Sequence, residues 1–197
     1  MIIEPSTMFT DYALAAVTGY LALRLYESRK SPWWTVAFVA LALTALLGGT
    51  YHGFGVPVWK ATVLLAGIIS FAMVVGSSIA TTHGLPRKIM LAFAAVKLVV
   101  YEAWMLSHDD YLYVIVDTGV ALAIVAVLHR SPWMLAGVAV SLVAGGVQAC
   151  GFDLHRHLNH NDLYHLVQIA AMILFYRGVT KSATISSSRS ADTGLWR

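Results

Sequence analysis

The chain has 197 residues, of which 58% are hydrophobic and only 12% are charged. Soluble domains carry about 25% charged residues, and a mean hydropathy of +0.71 points the same way. This composition excludes an ordinary soluble domain, and the single cysteine, Cys150, excludes an internal disulfide and a cysteine-rich metal site. The net charge of +3 does not indicate nucleic-acid binding, because the positions of the basic residues account for it.

Seven apolar stretches are long enough, or nearly so, to cross a bilayer, which takes roughly 17 to 25 residues. They are continuous and lack the two-residue alternation of a barrel strand, so they predict helices. The loops between them are short, and neighbouring helices are therefore expected to pack antiparallel in an all-α bundle of seven transmembrane helices. The stretches are approximately Tyr12–Tyr26, Trp34–Tyr51, Ala61–Ala80, Ile89–Leu106, Tyr111–Leu128, Trp133–Cys150 and His160–Tyr176.

The basic residues predict the orientation, because Lys and Arg collect in cytoplasmic loops. Only Lys60 and Arg156 fall on one side of the predicted bundle, and Lys97 lies within a span. The chain is therefore predicted to be a multi-pass protein of the cell (inner) membrane, with its N-terminus outside and its C-terminus in the cytoplasm. The basic residues on the predicted cytoplasmic side are Arg24, Arg29, Lys30, Arg87, Lys88, Arg130, Arg177, Lys181, Arg189 and Arg197.

The sequence predicts one transmembrane domain over residues 11–178. An extracytoplasmic segment, 1–10, precedes it, and a disordered cytoplasmic tail, 179–197, follows it, since the tail is rich in Ser, Thr and Arg.

A short motif recurs at the start of the second and sixth spans, as Ser31-Pro32-Trp33 and Ser131-Pro132-Trp133. Serine suits the N-cap of a helix and proline its first position. The recurrence indicates either a 3+1+3 internal repeat, with the fourth span joining two copies, or helix-start chemistry that recurs by chance.

Ionisable residues inside a membrane cost about 2.5 to 3.5 kcal/mol each at a helix centre, so they are candidates for function. Aspartates at the ends of the spans, Asp11 among them, can reach water and need no other role. Deeper ionisable groups suit pairing inside the bundle as well as function. The polar residues form one layer in the outer halves of the spans: His52, Lys97, Glu102, Asp117, Gln148, Asp162 and His165.

Asp162 and His165 are three residues apart and share one face of the seventh helix. His157 joins that face if the helix begins a turn earlier, and His52 comes from the second span at the same depth. Imidazoles and a carboxylate that converge in a dry bundle are what a zinc site needs. Alternatively, Asp162 stabilises the helix start behind an Asn159 N-cap.

The arrangement resembles the alkaline ceramidase and progestin/adiponectin receptor superfamily of seven-span membrane hydrolases. That family carries Ser-x-x-x-His late in span 2, an Asp in span 3 and His-x-x-x-His in span 7. Here His52 ends Gly48-Gly49-Thr50-Tyr51-His52, and His165 ends Asn161-Asp162-Leu163-Tyr164-His165. The resemblance implies zinc on the histidines and a zinc-bound water that cleaves a lipid amide. The chain departs from the pattern at Gly48 and Asn161, and it has no acid in span 3.

The first functional hypothesis is therefore a membrane-embedded, zinc-dependent hydrolase of a lipid amide or ester. Zinc would be bound by His52, His165 and either His157 or Asp162, and the bilayer would supply the lipid substrate. The proton would be moved by one of two carboxylates, Glu102 or Asp117.

Two other hypotheses stay open. The departures from the family pattern favour a non-catalytic protein, either receptor-like, metal-binding or accessory, that has lost the catalytic residues. A transporter or proton-handling protein would use Lys97, Glu102 and Asp117, but the inner halves of the spans carry almost no polar groups. A retinal photoreceptor is excluded because span 7 has no lysine for a Schiff base.

Overall fold

The computed structural model describes residues 2–29, 31–155 and 158–192, with side chains described up to residue 181. Within these residues the protein is all-α, and each predicted stretch corresponds to one helix. The last helix continues past residue 178, where the membrane domain was expected to end. The helices are α1 (Pro5–Ser28), α2 (Pro32–Phe54), α3 (Trp59–Thr81), α4 (Gly84–Met105), α5 (Tyr111–Leu128), α6 (Pro132–Cys150) and α7 (His160–Asp192).

Five helices are long and apolar enough to cross a membrane, judged by length and composition over the described residues. They are α2, α3, α5, α6 and the His160–Lys181 part of α7. The two others have the length, at 24 residues for α1 and 22 for α4, but they are less apolar. This pattern agrees with a multi-pass helical membrane protein.

Local sequence explains where α2 and α6 begin and end. Ser31 and Ser131 occupy their N-caps and proline follows each. The serine side chains make no capping hydrogen bond. Instead, each serine carbonyl accepts a backbone N–H four residues on, at 3.0 Å. Both helices stop at a glycine in the left-handed region, Gly55 with φ 65° and Gly151 with φ 61°, a conformation that glycine adopts without strain.

The helices form a bundle in which α1, α3, α5 and α7 begin at the end where α2, α4 and α6 finish; we call this the upper end. Helix α1 packs against α2 and α7, α3 against α2 and α5, and α6 against α5 and α7, while α4 packs chiefly on the outside of α3. In the predicted repeat, α1 to α3 form one copy and α5 to α7 form the other. The first helix of each copy therefore contacts the third helix of the other copy, since α1 contacts α7 and α5 contacts α3. A duplication would produce this pattern, although the duplication itself stays a prediction.

Glycines allow two of these helix pairs to approach closely. A Cβ atom at Gly49 of α2 would lie 2.7 Å from the ring of Tyr12 on α1. A Cβ atom at Gly137 of α6 would lie 2.8 Å from the ring of Phe175 on α7. Small residues let helix backbones pack closely within membranes. Gly49 therefore brings α1 and α2 together near the upper end, and Gly137 brings α6 and α7 together toward the opposite end, where α6 begins.

Candidate functional site

A buried Asp–His pair joins the first and last helices at the upper end. The Nε2 atom of His165 lies 3.0 Å from Oδ1 of Asp11, and its Nδ1 atom lies 3.0 Å from Oγ1 of Thr10. A neutral imidazole that donates from Nε2 accepts the Thr10 hydroxyl at Nδ1, so one tautomer satisfies both contacts. Sequence reasoning placed Asp11 among the carboxylates that reach water, but the structure leaves only 4% of it exposed.

Asp162 stabilises the start of α7. Its backbone N–H donates to Oδ1 of Asn159 at 3.1 Å, and its own Oδ2 accepts the Asn159 backbone N–H at 3.0 Å. This reciprocal pair is a capping box, worth on the order of 1 kcal/mol to a helix start. The other oxygen, Oδ1, lies 3.3 Å from the Thr10 hydroxyl oxygen. The Asp162 carboxylate is therefore engaged in capping through Oδ2, which is the alternative role that the sequence offered for Asp162.

His52 lies at the end of α2, under the N-terminal segment. Its Nδ1 atom is 2.8 Å from Oε2 of Glu4, and the Glu4 backbone N–H donates to the His52 carbonyl at 3.1 Å. The pair is partly exposed, in contrast to the buried Asp11–His165 pair. His52 and His165 line the same cavity, so the two imidazoles that were expected to meet do face one space.

That space, which we call the upper cavity, has a volume of about 100 Å³ and a mixed polar and aromatic lining. A second cavity of about 260 Å³ lies deeper in the bundle, between α2, α3, α5, α6 and α7, and its lining is mostly apolar; we call it the lower cavity. The two share four lining residues, Leu41, Thr44, Tyr111 and Tyr164. A small cavity that carries the polar groups of the upper end therefore adjoins a larger and more apolar one.

A second buried cluster joins α3, α4 and α5 away from the upper cavity. The Lys97 ammonium lies 2.5 Å from Oδ1 of Asp117 and 2.9 Å from the Ser70 hydroxyl, which donates to the other oxygen of Asp117. Glu102 lies nearby, and its Oε1 atom is buried without a hydrogen-bond partner among the described residues. Neither Glu102 nor Asp117 lines the upper cavity, so the structure does not bring these two candidates to His165.

The donors predicted for zinc are not assembled as a metal site in the described part of the chain. No group of three or more His, Cys, Asp and Glu side chains there is arranged to hold a metal. The physical reason is that both ring nitrogens of His165 are hydrogen-bonded and the Asp162 carboxylate is used in capping. His157 lies outside the described residues, and zinc binding stays a prediction.

An exposed carboxylate binds the first residue of α7. Oδ1 of Asp153 accepts the backbone N–H of His160 at 2.7 Å and lies 2.8 Å from its Nδ1 atom. These two hydrogen bonds hold the pKa of the Asp153 carboxyl below its usual value. They also position the first residue of α7, and with it the helix that carries His165.

Sequence reasoning missed the partners that α1 and the segment before it bring to the site. Thr10 and Asp11 hold His165, and Glu4 holds His52, yet these residues are about 150 and 48 positions from their partners. The one local signal was a carboxylate inside an apolar helix, because Asp11 lies a full turn and more beyond Pro5, where α1 begins.

Comparison with known proteins gives a family but no described activity. No curated protein and no solved structure matches the chain. One family model, described as a family of unknown function (DUF6962), matches residues 6–184. Because this match runs from the first turn of α1 into α7, the chain belongs to the DUF6962 family.

Proposed function

We propose that the protein is a seven-span membrane protein that binds a lipid inside its bundle. The lipid's polar group occupies the upper cavity beside Asp11 and His165, and its hydrocarbon chain occupies the lower cavity. The observation that carries the proposal is the pair of adjoining cavities, one lined by polar as well as apolar side chains and one lined mostly by apolar ones, with four lining residues in common. Together they fall near the lower end of the range of about 300–1,000 Å³ that is usual for small-molecule sites.

The topology supports spans for α1 and α4 as well. Helices α3 and α5 begin at the same end and pack against each other, so the chain has to return across the bundle through α4. Helix α1 likewise pairs with both α2 and α7. The excess of Lys and Arg at the lower end favours a cytoplasmic location for that end. In the proposed orientation the upper cavity opens toward the outer side of the cell membrane.

Filling the lower cavity tests the lipid proposal. Gly119 and Gly146 line this cavity, and a Cβ atom at either meets nothing within 4 Å. Leucine at these positions should therefore occupy the space of the hydrocarbon chain without displacing a helix. We expect several-fold less lipid to co-purify with Gly119→Leu and Gly146→Leu, as quantified by mass spectrometry of extracts from protein purified in a mild detergent.

Val143→Leu is the matched control, since Val143 lies on α6 with Gly146 but is exposed and does not line the cavity. This variant should retain the bound lipid. Equal lipid content in the wild type and the three variants, with unchanged melting temperatures, would show that the lower cavity does not hold the hydrocarbon chain.

The Asp11–His165 pair favours a second candidate function, hydrolysis of the bound lipid at an ester or amide. One Asp11 oxygen is held by His165, and the other, Oδ2, is buried without a hydrogen-bond partner among the described residues. That oxygen can take a proton from a water molecule as the water oxygen bonds to the acyl carbon. The bond to the leaving oxygen or nitrogen then breaks, and the leaving group takes the proton.

Tyr164 is placed to assist this step. The hydroxyl of Tyr111 donates to that of Tyr164 at 3.0 Å, so the Tyr164 proton is available to a ligand. Both tyrosines line the upper cavity. A donor there stabilises the negative charge that develops on an acyl oxygen during the reaction.

The hydrolysis candidate predicts that Asp11→Asn abolishes release of fatty acid from ester or amide lipids in nanodiscs but retains bound lipid. Asp109→Asn is the control, because Asp109 pairs with Lys60 at the exposed surface and lies outside the cavity. Lipid bound without turnover by the wild type would leave the non-catalytic alternative.

Elemental analysis of the same samples tests zinc binding. Zinc should be stoichiometric in the wild type and lost in His52→Ala and His165→Ala if these residues bind it.

A further inference from the structure

Two side chains at the upper cavity each carry an acceptor atom that nothing in the described chain satisfies. They are Oδ2 of Asp11 and Oε1 of Gln148, which are buried without a hydrogen-bond partner among the described residues. Both side chains line the cavity. The Gln148 amide is oriented by its Nε2 atom, which donates to Oδ1 of Asn161 at 2.8 Å, so the free atom is the acceptor. A buried acceptor without a donor is costly, and a ligand that donates hydrogen bonds removes that cost.

The glycine opposite the Asp11 oxygen leaves room for it. A Cβ atom built at Gly48 would lie 3.1 Å from Oδ2 of Asp11, and Gly48 lines the same cavity. The carboxylate therefore faces α2 across the space that the absent side chain leaves. With only 4% of Asp11 exposed, a ligand in the cavity rather than bulk water is its natural partner.

Three neighbouring aromatic side chains form part of the remaining wall of the cavity. The rings of Trp59 and Tyr111 have centroids 5.9 Å apart, and those of Tyr111 and Tyr164 are 6.1 Å apart. Aromatic faces attract cations. No lysine or arginine is among the described residues that line either cavity, so a phosphate or carboxylate group would find no fixed positive charge there.

We propose that the group held in the upper cavity is a primary ammonium, and that the ligand is a long-chain primary amine. The ammonium donates hydrogen bonds to Asp11 and Gln148 and lies against the aromatic wall. The inference rests on the proposed function, because the lower cavity is what receives the hydrocarbon chain. It goes further by naming the polar group and by disfavouring phospholipids as ligands.

Displacement of a fluorescent long-chain alcohol tests the inference on full-length protein in nanodiscs. The competitors share one chain length: hexadecylamine, hexadecanol, palmitic acid and hexadecyltrimethylammonium. We expect the primary amine to displace the probe at roughly tenfold lower concentration than the alcohol, as a charged hydrogen bond in a buried site allows. The trimethylammonium compound, which has no N–H, should be weaker than the primary amine.

In Asp11→Asn, hexadecylamine should displace the probe no better than hexadecanol does. In Gln148→Met, the preference for the amine over the alcohol should be smaller than in the wild type. Asp109→Asn should retain it, because Asp109 lies outside the cavity. If Asp11→Asn does not fold, Gln148→Met and the wild-type comparison still decide the matter. An amine no better than the alcohol, or weaker than the trimethylammonium compound, overturns the inference and leaves lipid binding intact. If neither the fluorescent alcohol nor any of the four competitors binds, the proposed function is overturned as well.

Discussion

Replacing Lys97 with methionine is expected to lower the free energy of unfolding by about 3–5 kcal/mol, the usual effect of removing one partner from a buried ion pair. The Lys97 ammonium is 2.5 Å from Asp117, and their side chains are only 11% and 8% exposed. Methionine retains the apolar stem of lysine but leaves the Asp117 carboxylate without its cation, in a place where water cannot replace it. Thermal or steric-trap unfolding in detergent micelles measures the loss.

Two further variants make this result specific. A double variant, Lys97→Met with Asp117→Leu, should regain most of the stability, since replacing both buried charges with apolar groups is often neutral. Lys60→Met is the matched single variant at the surface, where Lys60 and Asp109 are 38% and 62% exposed, and it should cost only about 0–1 kcal/mol. A loss for Lys97→Met no larger than for Lys60→Met would contradict the buried pair.

Gly137→Ala should lower the free energy of unfolding by about 1–3 kcal/mol, the usual effect of adding a group to a filled core. The new Cβ would meet the ring of Phe175 at 2.8 Å. The ring is 1% exposed and packs against Trp34 with 5.5 Å between centroids, so moving it away from the new methyl group would disturb that packing. The change in melting temperature in detergent measures the effect.

Gly119→Ala is the control for this prediction. It has the same substitution within a helix, but nothing lies within 4 Å of its Cβ, so it should change stability little or raise it. Phe175→Leu combined with Gly137→Ala should recover part of the loss, because the smaller side chain leaves space for the new methyl group. Equal effects of the two glycine substitutions would argue against a close contact between α6 and α7 at Gly137.

The helices could be predicted from sequence because the signal for them is local. A run of apolar residues identifies a helix in lipid regardless of what it packs against. The capping role of Asp162 was also open to prediction, since its partner Asn159 is three residues away. Pairing inside the bundle was one of the two roles left open for Lys97, because a charge in lipid is costly.

The partners in the site could not be predicted in the same way. Whether Asp11 reaches water or meets an imidazole depends on how α1 sits against α7, and no residue near Asp11 carries that information. The same holds for Ser70, whose hydroxyl is shared by Lys97 and Asp117 across three helices. The roles of Gly48 and Gly137 could not be predicted either, because the side chains that they make room for lie on neighbouring helices.

The Asp11–His165 pair also constrains the order of events during synthesis. Its carboxylate is made with α1 and its imidazole with α7, 154 positions later, so α1 through α6 are synthesised before the partner exists. Until α7 packs between α1 and α6, the Asp11 face of α1 lacks its cover. Helix α7 therefore both closes the ring of helices and completes the site.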